Sequence, residues 1–274
     1  MHPLYFIGGH AHSTYALLLF LSYASGILWL RTQVKTLEST PGIFWALVAT
    51  VVGCGLLGGK VGFWLVEWRT FSADPLAMIS DWGGGWVFWT GLLAGFAAGL
   101  GFQAWYNKTH KPRLYLPVGD YCIAALAIGH VIGRIACFME GCCHGRPTSL
   151  WWGVRFTSPA SSVDPSLLGV PLHPTQLIEA AFEACAAAVL IGWVLPATAK
   201  GKLRRGTAFI GYTLYYAVMR FSVEFLRGDD RGVLLSTALS PSQWISLAAA
   251  AAVGYALWAR GVRSPGGKPG TWYV

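Results

Sequence analysis

Seven long apolar runs, near residues 14–30, 42–66, 86–106, 118–140, 174–195, 206–226 and 240–259, leave this chain of 274 residues almost no sequence for a water-facing surface. About 20 apolar residues carry a helix across the hydrocarbon of a bilayer. Short connections rich in Gly, Pro, Ser or charge separate the runs. Charged residues make up 12% of the chain, against roughly 25% in an ordinary soluble domain. The expectation is an all-α polytopic membrane protein with seven transmembrane helices, one domain over 1–260, and a flexible cytoplasmic tail over 261–274.

Loop charge orients the spans. If the runs alternate across a bilayer, one set of connections holds twelve basic residues: Arg31, Lys35, Lys108, Lys111, Arg113, Lys200, Lys202, Arg204, Arg205, Arg260, Arg263 and Lys268. The opposite set holds five, Arg69, Arg146, Arg155, Arg227 and Arg231. Cytoplasmic loops carry the excess of Lys and Arg, so the N-terminus is expected outside and the C-terminus in the cytoplasm. Topology thus accounts for the net charge of +8, and no contiguous basic stripe with interleaved aromatics remains for nucleic acid. Met1 to Thr14 contains no Lys or Arg, so the first run lacks the positive n-region of a cleavable signal and is expected to persist. Trp82, Trp86, Trp151 and Trp152 fall near outer boundaries, where indole rings favour the interface.

Glycine spacing bears on packing. Gly91, Gly95 and Gly99 share one helix face, as do Gly58 with Gly62 and Gly55 with Gly59; such stripes let helix backbones approach closely in a bilayer. The Gly run at 83–85 favours a non-helical entry into the third span.

Charges within the spans carry the functional reading, because each costs several kcal/mol in hydrocarbon. They are Lys60, His130, Arg134, Glu140, Glu179, Glu183, Arg220 and Glu224. His130, Arg134 and Cys137 lie on one helical face, as do Arg220, Glu224 and Arg227. Arg220 and Glu224 could form a self-neutralising pair that only fixes packing. Arg134 has no acid among its neighbours on its own face, so its expected partner is an anion from outside the chain. A guanidinium grips phosphate oxygens with two hydrogen bonds at once, and phospholipid head groups are the phosphates available at that depth.

These residues sit in motifs that resemble the prolipoprotein diacylglyceryl transferase family. Gly133-Arg134-Ile135-Ala136-Cys137-Phe138, with Gly141 and Gly145, resembles the signature G-R-x-G-N-F-x-N-x-E-x-x-G. His173-Pro174-Thr175-Gln176-Leu177-Ile178-Glu179 is similar to H-P-[ST]-Q-L-Y-E, and Arg220 to Arg227 is similar to R-x-x-x-E-F-x-R. Tyr15 sits where the family's first span has the tyrosine of W-Y-G. Gly58 to Phe63, containing Lys60, resembles G-[GA]-R-x-G-Y, and Leu239 to Trp244 resembles L-S-x-x-Q-W. The ordered set covers nearly the whole chain. The resemblance implies a bacterial inner-membrane enzyme that moves the diacylglyceryl group of phosphatidylglycerol onto the cysteine thiol of a lipobox-containing preprolipoprotein, forming a thioether and releasing glycerol-1-phosphate, without cofactor or metal. Carried over, Arg134 and Arg220 hold the phosphate, Glu224 orients Arg220, and Tyr15 joins the catalytic set. Lys60, Trp89, Cys137, Glu140, Gly145, His173, Gln176, Glu179 and Arg227 fall at substrate-binding positions.

The chain departs from the family pattern at chemically loaded places. Where the family reads S-F-H-G-G, this chain reads Val87-Phe88-Trp89-Thr90-Gly91, and an indole cannot take a proton. His144 and His130 are the nearest substitutes for the missing base. Cys137 and Glu140 occupy the two signature Asn positions, and Cys142 occupies the Glu position. Cys137, Cys142, Cys143 and His144 offer four soft or imidazole donors within eight residues. Packing of small residues near the head groups is the reading taken forward, with metal binding and a redox or disulfide role as alternatives. The functional alternatives are a glyceryl-lipid transferase with a non-lipoprotein acceptor and a non-catalytic lipid- or metal-binding membrane protein.

Overall fold

A computed structural model of the protein describes residues 2–34, 40–81, 85–109, 118–229 and 239–263. The chain opens with a hairpin, β1 (Leu4–Ile7) antiparallel to β2 (His10–Ser13). Gly8 and Gly9 turn it with φ of 58° and 82°, the left-handed backbone that a two-residue hairpin loop requires and glycine adopts freely. Helices α1 (Thr14–Thr32), α2 (Pro41–Val66), the short α3 (Trp68–Ala73) and α4 (Pro75–Ser80), α5 (Phe88–Thr109) and α6 (Val118–Glu140) follow. A connection with the two-residue strands β3 (Val154–Arg155) and β4 (Pro171–Leu172) leads to α7 (Thr175–Val189). One π turn, Leu190–Val194, joins α7 to α8 (Leu195–Ala199), upstream of Pro196, which lacks an N–H and crowds the carbonyl four residues before it. Helices α9 (Thr207–Glu224) and α10 (Pro241–Arg263) end the described chain.

Each apolar run is thus one long helix, with α7 to α8 continuous. The two small ribbons are strands that a reading of helical runs alone did not contain. Four helical stretches, Thr14–Thr32, Pro41–Val66, Gly119–Glu140 and Thr175–Ala199, are long and apolar enough to cross a membrane. Phe20, Leu65, Leu93 and Val218 point outward from their helices, an exposure that calls for lipid rather than water. The protein is a multi-pass, mostly helical membrane protein. Trp82 and the first two residues of the Gly run, 83 and 84, lie outside the described residues; Gly85 has a left-handed φ of 65°. Of the expected tail, residues 261–263 belong to α10 and the rest lies outside the described residues.

Contacts divide the chain into two compact units, residues 1–30 with 117–274, and residues 31–116. In the smaller unit, Thr40 caps α2 by accepting from the Ile43 N–H, with Pro41 at its first position. Helices α2 and α5 then pack backbone to backbone. A Cβ at Gly91 would lie 2.8 Å from the Gly55 carbonyl oxygen and 3.4 Å from Gly59 Cα, so only glycine fits this crossing.

In the larger unit, Ser22 of α1 donates to the Gly129 carbonyl of α6 at 2.6 Å. Asp120 at the start of α6 accepts from the Gly206 and Phe209 N–H groups at 2.6 and 2.9 Å, satisfying donors at the α9 N-terminus. That cap aligns α6 and α9, so their C-terminal ends reach the same level as the N-terminal end of α7. Between α6 and α7, Phe156, Val163 and Leu172 form a small buried core against which Phe138 packs, so the connection folds back over the helix ends.

Candidate functional site

Three helices of the larger unit each contribute one polar stripe. Helix α6 supplies His130, Arg134 and Cys137, α7 supplies Gln176, Glu179 and Glu183, all fully buried, and α9 supplies Tyr212, Tyr216, Arg220 and Glu224 at strict four-residue spacing. Residues three and four apart share a helix face, so three apolar helices can turn these stripes toward one another.

Glu179 stands at the centre. Its Oε2 lies 2.7 Å from Arg134 Nη2 and its Oε1 3.5 Å from Arg227 Nη1. The expectation that the partner of Arg134 is an anion from outside the chain is therefore corrected: an acid comes from α7, and no inspection of the α6 face could find it. Arg220 pairs with Glu224 at 2.6 Å and donates to Ser242 Oγ at 3.0 Å. Arg227 makes a two-pronged contact with Asp229, Nε to Oδ1 at 2.8 Å and Nη2 to Oδ2 at 2.6 Å. The inner set of Arg134, Arg220 and Arg227 is matched by the buried carboxylates of Glu179, Glu183 and Glu224. An incoming anion would thus be held by directed N–H groups rather than by surplus positive charge. One such group exists: among the described residues, Arg220 Nη1 is buried without a hydrogen-bond acceptor, whereas Arg227 Nη1 faces Glu179 Oε1. Leaving a buried donor unmet costs about 1–3 kcal/mol, so such donors mark a place for an acceptor.

Behind Arg134 runs a second line of groups. Arg134 Nε donates to His130 Nε2 at 3.1 Å, which places the His130 proton on Nδ1, 3.3 Å from Glu183 Oε1. The Tyr212 hydroxyl donates to Glu183 Oε2 at 2.8 Å, and Tyr216 packs between Tyr212 and His130, at ring distances of 5.9 and 5.5 Å. His130 has both ring nitrogens engaged. His144 differs: Nδ1 donates to the Gly145 carbonyl at 3.0 Å, leaving Nε2 as the nitrogen with the lone pair.

Backbone hydrogen bonds sew the helix ends together. Gly145 N–H donates to the His173 carbonyl, His173 N–H to the Arg146 carbonyl, Arg146 N–H to the Leu226 carbonyl and Gly228 N–H to the His144 carbonyl. A Cβ on Gly145 would fall 2.7 Å from both the His173 and Leu226 carbonyl oxygens, so Gly145 is where three chain segments meet. Fully buried Thr175 and Gln176 donate to the carbonyls of Cys143 and Cys142, each at 2.7 Å. Gln176 therefore holds the cysteine turn. Cys143 has φ of 63°, a left-handed backbone costing roughly 1–2 kcal/mol for a residue with a Cβ. Hydrogen bonds from Cys137 and Cys142, working against burial, together with the Arg227 guanidinium, hold the Cys143 thiol far below its ordinary range.

Other sequence candidates fall elsewhere. Glu140 accepts from the Ser162 hydroxyl at 2.8 Å and braces the connection rather than an arginine. Tyr15 on α1 lies within electrostatic reach of Cys137, Cys142 and Cys143. Lys60 is buried in the smaller unit, its ammonium 5.4 Å from the Phe63 ring centroid and 5.2 Å from that of Trp86. Trp89 lies in the first turn of α5, and its side chain is outside what is described. Sequence reasoning missed Tyr212, Tyr216, Asp229 and Ser242 and left Glu183 without a role. The four-residue ladder 212, 216, 220, 224 was the signal that could have found the two tyrosines.

Comparison with known proteins gives the same direction along the whole chain. The family prolipoprotein diacylglyceryl transferase matches residues 4–259. Phosphatidylglycerol–prolipoprotein diacylglyceryl transferase 2 of Clostridium perfringens is 34% identical over 221 residues, 81% of this chain and 80% of that relative. The phosphatidylglycerol–prolipoprotein diacylglyceryl transferase of Solidesulfovibrio magneticus is 31% identical over 261 residues, covering 92% of this chain and 90% of the relative.

Proposed function

Because the chain belongs to the prolipoprotein diacylglyceryl transferase family, we propose that it transfers the diacylglyceryl group of phosphatidylglycerol to the thiol of a lipobox cysteine in a prolipoprotein. The glyceryl carbon–oxygen bond to phosphate breaks, a carbon–sulfur bond forms, glycerol-1-phosphate leaves, and the thiol proton passes to a base. The chain does this as a seven-span protein of the bacterial inner membrane, N-terminus outside, C-terminus cytoplasmic, working as one domain over 1–260.

The observation that carries the phosphate assignment is the buried, acceptor-less donor Arg220 Nη1 beside the guanidiniums of Arg134 and Arg227, which share Glu179. Phosphate oxygens accepting from such donors gain more as negative charge collects on the leaving group, and donors fixed in place need no reorganisation as it does. The 2.6 Å pair to Glu224 gives Arg220 its orientation. His130, engaged on both sides, positions Arg134. The lone pair on His144 Nε2 supports His144 over His130 as proton acceptor. Tyr15, Lys60, Trp89, Cys137, Glu140, Gly145, His173 and Gln176 remain assigned to the site by resemblance.

The test uses the full protein in nanodiscs containing phosphatidylglycerol, with a lipobox peptide whose mass gain is followed. Arg134→Ala and Arg220→Ala are expected to lower transfer by about 100- to 1000-fold, the range for losing one electrostatic donor to developing charge. Lys at either position restores little, because a point charge lacks the fork. Undiminished transfer in Arg134→Ala overturns the phosphate assignment, and lipid transfer to other thiols but not to the lipobox peptide overturns the acceptor.

A further inference from the structure

From the thiol cluster at the end of α6 we infer that Cys137, Cys142 and Cys143 form a divalent zinc-type site whose fourth position takes the acceptor thiol, an inference that rests on the transfer reaction proposed above. The three sulfur atoms lie within 4.8 Å of one another, and none of the three cysteines is in a disulfide. Zinc–sulfur bonds of about 2.3 Å set the sulfurs of a tetrahedral site about 3.8 Å apart, inside that envelope. Adjacent cysteines ordinarily send their side chains apart. Here Gly141 and Cys143, with φ of 87° and 63°, bend the turn so that Cys142 and Cys143 converge on Cys137. Thr175 and Gln176 pin both turn carbonyls at 2.7 Å, so the arrangement is built into the fold rather than formed by a wandering loop.

Three protein donors distinguish this cluster from a closed structural site. Among the described residues no fourth His, Cys, Asp or Glu donor joins the group, and three ligands with one open position is the arrangement of catalytic zinc. A site of three thiolates plus a fourth sulfur carries net negative charge, and Arg227, hydrogen-bonded to Cys143, supplies compensation. The same Arg227 faces Glu179, which pairs with Arg134, so the thiol cluster adjoins the proposed phosphate site.

The step balances without redox change. The acceptor S–H binds at the fourth position and gives up its proton to the proposed proton acceptor His144, because a thiol on a divalent cation is deprotonated outright. The thiolate sulfur attacks the glyceryl carbon, the carbon–oxygen bond breaks, and glycerol phosphate departs with that bond's electron pair. The thioether product, lacking a negative sulfur, is a weak ligand and leaves. A bound cation thus performs the thiol activation that Trp89 cannot.

The experiment loads metal-stripped full-length protein in nanodiscs lacking phosphatidylglycerol with Co(II) as a spectroscopic probe and with Zn(II) against a chromophoric chelator. One equivalent of Co(II) is expected to give sulfur-to-metal charge-transfer absorption that shifts when a lipobox peptide is added and does not shift with the Cys→Ser peptide. Cys137→Ser and Cys142→Ser are expected to weaken Zn(II) retention by more than the roughly 10- to 100-fold cost of losing an outer partner, while Cys185→Ser leaves it unchanged. The spectra of the unmutated protein keep the test decisive if a Ser variant fails to fold. No thiolate absorption, or absorption that the peptide thiol does not shift, overturns the inference. Transfer at full rate by metal-stripped protein overturns it too and leaves the proposed function standing. A thiol-dependent shift without any transfer once phosphatidylglycerol is restored supports the site and overturns that function instead.

Discussion

Helices α2 and α5 and helices α6, α7 and α9 solve the same problem, holding apolar helices together in lipid, by opposite means. The first pair meets through glycine backbones, with Gly91 facing Gly55 and Gly59. The second group meets through buried ions, with Glu179 between Arg134 and Arg227 and Glu183 between His130 and Tyr212. Close backbone packing requires only that nothing be in the way. A buried ion network requires every partner, because removing one leaves a charge unpaired in low dielectric. A protein retains the more demanding device where the charges also have a task, and the task proposed here is to grip a phosphate.

The comparison breaks first at its most loaded point. Glu179→Ala leaves two guanidiniums without their shared carboxylate and is expected to destabilise the larger unit by about 3–5 kcal/mol, read as a lowered midpoint of thermal unfolding in detergent. An unchanged midpoint would show that the ion network is not what holds these helices.

Smaller is Tyr212→Phe, which deletes the hydroxyl donating to Glu183 at 2.8 Å. A hydrogen bond to a charged group is worth about 1.5–3 kcal/mol, and the loss is expected to lower transfer by loosening His130 and through it Arg134. Peptide mass gain against time measures the fall, and an unaltered rate removes Tyr212 from the network.

In the glycine-packed pair, Gly91→Ala forces a Cβ to 2.8 Å from a backbone carbonyl and is expected to cost about 1–3 kcal/mol, as overpacking does. Gly101→Ala, on the same helix with nothing within 4 Å, stays within about 0.5 kcal/mol of the parent. Labelling rates of Cys54 on α2 report the difference, and equal rates in the two variants would deny that the close crossing matters.

The smallest effect is at the alignment of the helices. Asp120→Ala removes the cap on α9 and is expected to cost about 1 kcal/mol. Faster amide exchange at Gly206 and Phe209 checks it.

Much of this was readable along the chain. The seven long helices follow the seven apolar runs to within a few residues, because an apolar stretch of bilayer length has few alternatives to a helix. The glycine stripes on α2 and α5 were legible for the same reason, since four-residue spacing and helical geometry suffice to place them on one face. Arg134 shows where reading stopped. Its partner is Glu179, forty-five residues away on another helix, and the periodicity within α6 says nothing about which face α7 turns toward it. Cys142 and Cys143 show the same limit in a turn: adjacency does not say where the two thiols point, and a left-handed backbone at Cys143 brought them together.

The sequence by itself determined that the chain lives in a membrane, that its helices carry ions on narrow stripes, and to which family its ordered motifs belong. Only the tertiary structure decided which carboxylate meets which arginine, which histidine keeps a lone pair, and that three cysteines share one small volume. The physical reason is that hydrophobicity and helical period act within a segment. The rotation and depth of one helix against another arise from packing, caps such as Asp120, and backbone bonds such as those at Gly145, which join residues far apart in the chain.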